Sequence, residues 1–394
     1  MMTALGLDLL SGWESLVSGK SGVRAISLFD ASACQTRIAA ELPQDLDDYA
    51  RRHCNRRLGN QMGRAVKMGY VAAKEAVARS AIDFDALDRH RCAVIFGAAD
   101  TGHSAIHDDK YWIMKTMPHA VPAWISMEYK LLGPNFTVSA ACASSAYAIA
   151  YGYDLITAGK ADVVIAGGAS SIVNPEHVNG FNEVGALSVR NDRPETASRP
   201  FSLGRDGFVI GEGAGVLVLE SERGAQARGA TIHAELAGYA MTSEAHNIMA
   251  PVRDGAGMAD SMRLALAGAG VNTDHVDYIN AHGSSTLLGD KYETMAIREV
   301  FGDRAQGIPV SSAKSMIGHT AAACGAIEAA ITVLSISSGV LTPTINYVPD
   351  PELELDYVPN AARKHDVNVA ISNSFGFGGC NATLVFRKYE ISKA

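Results

Sequence analysis

Short apolar runs alternate along this chain with stretches of helical periodicity, and glycine or small polar residues mark most of the joins. Residues 92–97, 136–139 and 162–168 predict buried strands, because a brief continuous apolar run between turn residues suits a strand covered on both faces. Between them the 3.6-residue period predicts helices over 9–18, with Trp13 and Leu16 at core spacing and Gly19 as the stop. Further helices are expected over 45–58, over 62–80, and from just after Cys142 to about residue 159. A strand over 216–220 ends this round. A second round follows: strand 231–241, helix 257–268, strand 276–280, helix 290–300 and strand 309–312. It goes on with a loop over 314–319, a helix over 322–337, and strands 368–373 and 382–386 around a glycine-rich turn at 375–379. Two such rounds predict two similar α/β halves packed together, 1–225 and 226–394, divided near 221–229. Their sequences are too unlike to mark a repeat.

Composition narrows the class. With 47% hydrophobic and 19% charged residues, the chain buries a large core and has no disordered tail. The net charge of −8 and the lack of a basic domain exclude a general nucleic-acid binder. Six cysteines without a CxxC pair or zinc spacing predict unpaired thiols and no metal site. The first residues carry no basic leader, and no apolar stretch reaches membrane-spanning length, so a cytoplasmic protein is expected.

Three places carry chemistry. Cys142 stands where a strand turns into a helix, and unpaired N–H groups and the macrodipole at a helix start favour a thiolate. A small cysteine among alanines also suits plain packing, so this stretch leaves both readings open. His282 and His319 each sit beside a glycine on a strand-end loop, and Lys314 and Glu328 bracket the second. Either histidine alone reads as structural, whereas the group points to a catalytic site. The turn Phe375-Gly376-Phe377-Gly378-Gly379 offers backbone amides to an oxyanion. Arg51, Arg52, Arg56 and Arg57, followed by Arg64 and Lys67, form a basic patch in an acidic chain. That patch suits a solvated helix face or a dock for an acidic partner.

Taken together, Ala141-Cys142-Ala143-Ser144-Ser145, Asn280-Ala281-His282-Gly283-Ser284-Ser285-Thr286, Lys314-Ser315-Met316-Ile317-Gly318-His319 and Asn373-Ser374-Phe375-Gly376-Phe377-Gly378-Gly379 resemble one family. Arg199-Pro200-Phe201 and Arg205-Asp206-Gly207-Phe208 match it too. The chain looks like a β-ketoacyl-acyl-carrier-protein synthase of the elongating Cys-His-His type, in the thiolase superfamily, over nearly its whole length. The resemblance implies a thiolase-like fold with an α-β-α-β-α layered core. It implies that Cys142 takes an acyl chain from an acyl carrier protein. His282 and His319 would then promote decarboxylation of a malonyl group and stabilise the enolate, with Lys314 and Glu328 as the network around His319. The amides of Cys142 and Phe377 would hold the oxyanion, and Phe377 would gate the pocket. Ser284 and Thr286 would contact phosphopantetheine, with Phe375 and Gly378 also in the substrate site. The basic patch would dock the carrier protein.

No resident cofactor or metal is implied; phosphopantetheine arrives on the carrier. The resemblance also implies a homodimer, or a heterodimer with a homologous chain-length-factor subunit. His319 stands where initiating synthases have Asn, and Cys142 is absent from chain-length factors. Thiolases use a second cysteine near the C-terminus, but the paired histidines and the 375–379 turn fit the synthases. Cys380 then replaces the Thr usual after that turn. Fatty-acid-type elongation is the leading reading, with the catalytic subunit of a type II polyketide or polyene system beside it. A non-catalytic scaffold would need none of Cys142, His282, His319 and Lys314.

Two departures stand out. The family's hydrophobic first strand is missing before residue 3, and its expected central position in the first sheet would leave apolar surface open. Residues 102–117 form a shorter segment than in typical synthases of this type, and Trp124 and Asp100 add bulk and charge near the expected acyl tunnel.

Overall fold

The first half contributes one four-stranded sheet with helices on both faces. The structure, a computed structural model, describes residues 1–43, 46–54, 56–98 and 109–390. In chain order the first half supplies helices α1 (Leu9–Val17), α2 (Leu46–His53) and α3 (Arg64–Ser80), strand β1 (Cys92–Gly97), helix α4 (Ala120–Tyr129) and strand β2 (Asn135–Val138). It continues with α5 (Ser144–Thr157), β3 (Val163–Ser171), α6 (Pro175–Glu183) and β4 (Glu212–Glu220). The second half supplies β5 (Glu235–Ser243), α7 (Ala256–Gly268), β6 (Tyr278–Asn280), α8 (Leu287–Phe301) and β7 (Val310–Ser311). It closes with α9 (Cys324–Ser338), β8 (Val369–Gly376) and β9 (Cys380–Arg387).

The sheets are ordered β2-β1-β3-β4 and β5-β9-β8-β6-β7. In the first, β1 runs parallel to β2 and β3, and β4 is antiparallel to β3. In the second, β8 is parallel to β6 and antiparallel to β9, and β5 closes the edge antiparallel to β9. Helices α5 and α9 lie between the sheets, α3 and α4 cover the outer face of the first, and α7 and α8 that of the second. That is the expected α-β-α-β-α stack. The apolar runs are fully buried where both faces are covered, as along β1 and β3.

The central layer is tight because small residues line it. A Cβ on Gly325 of α9 would lie 2.8 Å from the Ala146 nitrogen of α5, so only glycine lets the two helices approach there. Helix α9 also corrects one expectation. The stretch Ala321–Ser338 is long and apolar enough to cross a membrane, with mean hydropathy 1.5, but 67% of it is buried inside the protein. It is a core helix.

The expected central gap from a missing first strand is absent, because the corresponding position is at a sheet edge. Met2 exchanges backbone hydrogen bonds with Ala214 of β4 (2.8 and 3.0 Å). Strand β5 holds the equivalent edge of the second sheet. The strands of the first sheet all precede Ser221 and those of the second all follow it. Asp100 and residues 102–108 of the shortened segment lie outside the described residues. Trp124 packs on the first-half core.

Candidate active site

The same strained elbow is built twice. Ala141 (φ 48°) and Ala321 (φ 45°) both adopt the left-handed conformation as the first residue of a short 3-10 turn, and each turn runs into a central helix. The first elbow carries Cys142, and the second follows directly on His319. Left-handed alanine is unfavourable, so the surrounding structure must hold both elbows in place.

Cys142 lies in the 3-10 turn, two residues before α5 begins. The expectation of a thiolate at a helix start is not met in the resting site. Burial pushes the thiol up to about 11, opposed by the Lys314 charge and by the backbone amides of Phe377 and of Cys142 itself. Those two amides are the expected oxyanion donors, and both are directed at the sulfur.

The histidine rings face each other with centroids 5.4 Å apart and planes at 78°. His319 Nδ1 accepts the Ala321 N–H (3.0 Å), so its proton sits on Nε2. Its backbone is clamped between neighbours: His319 N donates to Val209 O (2.7 Å) and Gly211 N donates to His319 O (2.9 Å). Lys314 Nζ donates to His282 O (2.6 Å) and lies 3.5 Å from His282 Nδ1, which leaves the His282 proton on Nε2 as well. The supporting network therefore centres on His282, where the sequence placed it around His319. Lys314 also pairs with Glu328, and both are 1% exposed. Burial opposes the Lys314 charge, but Glu328 outweighs it and keeps the ammonium above its usual range. The segment 314–319, expected as a loop, opens as the short helix Lys314–Ile317, ended by Gly318 at φ 65°.

Burial, and then the Lys314 charge, lowers both imidazoles. His282 falls well below 6.5 and His319 to about 3. Both rings are thus neutral donors at neutral pH. This has a measurable sign. Between about 3 and 6.5 the unfolded chain protonates His319 while the folded one does not, so stability falls as pH drops through that window. Buried Glu293, raised to about 7, and Asp290, raised to about 6, act oppositely, since their cost appears as pH rises and they must ionise. His319→Gln should remove only the first effect, an acid-side slope of up to about 1.4 kcal/mol per pH unit. Urea unfolding at graded pH reads it, and an unchanged slope would mean the ring is not held neutral.

Two acids that the sequence reading passed over hold the His282 loop. Glu293 accepts the His282 and Gly283 N–H groups (2.8 and 2.7 Å). Asp290 accepts those of Ser284, Ser285 and Phe201 (2.9, 3.0 and 2.7 Å). They sit one turn apart on α8, facing the loop that leads into it; acids near a helix start are a readable sign. The segment from Arg199 to Gly207 braces the same loop. Arg199 N donates to Ser285 Oγ, Gly207 N to Ser285 O, and Arg205 to the Thr286 and Leu287 carbonyls. Cys324 was also missed: its thiol lies 3.5 Å from His319 Nδ1.

The remaining expected residues divide. The Ser284 and Thr286 hydroxyls pair at 2.9 Å. Phe375 is buried, its ring 6.0 Å from His282. The Gly378 N–H is engaged by Ile248 O (2.7 Å), and Phe377 stands partly exposed beside it. In the basic patch, Arg64 is a correction: it forms a bidentate pair with Glu212, whose side chain is 0% exposed. Its charge neutralises a buried acid and is not offered to a partner. Lys67 pairs with Asp47 and Arg51 with Asp48, while Arg52 lies over the Tyr49 ring. Arg56 and Arg57 are exposed on the next turn. Among the described residues, no group of His, Cys, Asp and Glu is arranged to hold a metal ion.

Comparison with known proteins agrees with this geometry. Residues 1–225 match the model for the N-terminal domain of β-ketoacyl synthases and 233–348 that for the C-terminal domain. The 3-oxoacyl-[acyl-carrier-protein] synthase 2 of Staphylococcus aureus (strain COL) is 38% identical, covering 99% of this chain and 96% of its own. Among solved structures, the ishigamide ketosynthase/chain length factor superposes with a TM-score of 0.89 at 33% identity, covering 99% of this chain and 97% of that one. A type II PKS acyl-carrier protein in complex with its ketosynthase, AntDE:AntF, gives 0.86 at 31%, covering 98% and 97%. The elbow at Cys142, the paired neutral imidazoles and the full-length likeness converge: the chain belongs to the β-ketoacyl synthase family of acyltransferases.

Proposed function

We propose that this chain elongates acyl chains on an acyl carrier protein by decarboxylative condensation, with Cys142 as the acyl carrier residue. Two neutral imidazoles with both Nδ1 atoms engaged, each leaving an Nε2–H for one oxygen, carry the reading. In the first step the Cys142 sulfur displaces the carrier's pantetheine thiol, and the Cys142 proton leaves with it. In the second, malonyl-carrier loses CO2, and the Nε2–H groups of His282 and His319 hold the enolate oxygen without giving up their protons. The enolate carbon attacks the acyl-Cys142 carbonyl, whose oxyanion rests on the Cys142 and Phe377 amides. Collapse releases β-ketoacyl-carrier and a Cys142 thiolate that takes a proton back. The chemistry asks for no resident cofactor. Ser284 and Thr286 face the pantetheine arm, Phe377 gates it, and Arg51, Arg52, Arg56 and Arg57 steer the acidic carrier.

Intact-protein mass after mixing with acyl-carrier proteins of graded length and unsaturation tests the first step. A gain equal to the acyl group, mapped to Cys142, is expected before any malonyl-carrier is added. Folded protein that takes no acyl group from any donor would overturn the reading.

The AntDE:AntF and ishigamide likenesses favour a second reading, a polyketide-type subunit paired with a chain-length-factor homologue. Either reading uses a pair of like folds. Strand β2 is a sheet edge with half-buried Phe136, Thr137 and Val138, and exposed Leu132, Met127 and Tyr151 belong to the same half. Such an edge suits strand pairing between two subunits. Size-exclusion chromatography that shows only monomer would remove this part.

A further inference from the structure

The two elbows are fastened in the same way, but the second is fastened by a cysteine that the mechanism above leaves unused. In the first, Ser144 N and Ser144 Oγ both donate to the carbonyl of the strained Ala141, the hydroxyl at 2.6 Å. In the second, Cys324 N and the Cys324 thiol both donate to the carbonyl of Ala321, the thiol at 2.7 Å. Each donor stands three residues after its left-handed alanine and is the first residue of its central helix, α5 or α9. Both are buried. Burial pushes the Cys324 thiol up, so it keeps its proton and stays a donor at neutral pH.

Ala321 matters because of what its amide does. Its N–H is the donor on His319 Nδ1 (3.0 Å), and that bond keeps the ring proton on Nε2. A left-handed alanine is strained, so its conformation must be imposed by bonds to the peptide groups on either side of it. The His319 ring holds the N–H side, and Cys324 holds the carbonyl side. The same sulfur lies 3.5 Å from Nδ1, beside the nitrogen that must stay unprotonated. We infer that Cys324 is a positioning residue for decarboxylation: through Ala321 it aims the N–H that fixes the His319 tautomer. The inference rests on the reading above and names a residue that reading does not use. Cys142, on the other elbow, is served by Ser144 and does not depend on it.

Cys324→Ala and Cys324→Ser test it, because serine is what the first elbow uses at this place. In Cys324→Ala, kcat for decarboxylation of malonyl-carrier should fall about tenfold, the scale of a slightly misplaced donor, with KM unchanged. Acyl transfer to Cys142, followed by intact mass, should keep the parent rate. Cys324→Ser should recover decarboxylation to within about twofold of the parent. Imidazole nitrogen NMR, with the His319 signal identified by its loss in His319→Gln, should show mixed tautomers in Cys324→Ala. The parent and Cys324→Ser should show Nε2–H alone. Acyl transfer falling in step with decarboxylation would make Cys324 a general support of the fold and overturn the inference. So would Cys324→Ala at the parent rate or with the parent spectrum, or Cys324→Ser no faster than Cys324→Ala. A parent that neither loads Cys142 nor decarboxylates malonyl-carrier would overturn the enzyme reading, and the role of Cys324 with it.

Discussion

Cys142→Ala should reduce condensation on the order of 10^4-fold or more while decarboxylation of malonyl-carrier continues. The two steps use different atoms. Carbon–carbon bond formation needs an acyl group on sulfur, and without that covalent intermediate the enolate has nothing held in place to attack. Loss of CO2 needs only donors for the thioester oxygen, and His282 and His319 keep theirs: His319 Nδ1 is held by Ala321 N and His282 Nδ1 faces Lys314, with no contribution from Cys142. The substitution is also mild for the fold, because alanine suits an elbow already flanked by Ala141 and Ala143 and removes a single sulfur. Product analysis together with CO2 release separates the steps. Condensation that survives would remove Cys142 from the mechanism. Decarboxylation lost along with condensation would mean that the histidines depend on the thiol for their arrangement.

The sequence made most of the scaffold legible because this fold writes clear local signals. Parallel strands covered on both faces appear as uninterrupted apolar runs, and Cys92–Gly97 emerged with both boundaries correct. Cys142 and both histidines drew attention in the sequence for another reason: each stands at a strand end beside a glycine or a run of small residues, and it was their combination that pointed to a site. Relations across the chain were not legible. Nothing near Lys314 tells that its ammonium reaches back to His282 rather than on to His319, just past the end of its own short helix, since His282 lies 32 residues and a strand away. Glu293 and Asp290 looked like ordinary helix-start acids, and only the turn of α8 against 282–285 shows that they hold four consecutive backbone amides. Arg64 belonged by composition to a surface patch, but its partner Glu212 lies 148 residues away on a buried strand. Sheet position was misread in the same way: the chain's first residues sit at an edge, which only the β4 pairing at Ala214 reveals.

Lys314→Met should be the most damaging single change to stability and should lower activity as well, and a second substitution can separate the two. Lys314 and Glu328 are fully buried, so removing the ammonium leaves Glu328 as an unpaired buried acid, a cost of about 3–5 kcal/mol. It also strips the donor from His282 O and frees His282 Nδ1. Adding Glu328→Leu removes the stranded acid, and stability should return to within about 2 kcal/mol of the parent, the residue being the unpaired His282 carbonyl. Activity should not return. Without Lys314 nothing selects the Nε2–H tautomer of His282, and the charge that helps keep both rings unprotonated is gone. Loss of one aligned donor to the enolate corresponds to a fall on the order of 10^2- to 10^3-fold in decarboxylation. Urea midpoints and decarboxylation rates for the single and double variants decide it. If the double variant recovered rate along with stability, Lys314 would be a structural charge alone, and the neutral-donor account of His282 would have to be given up.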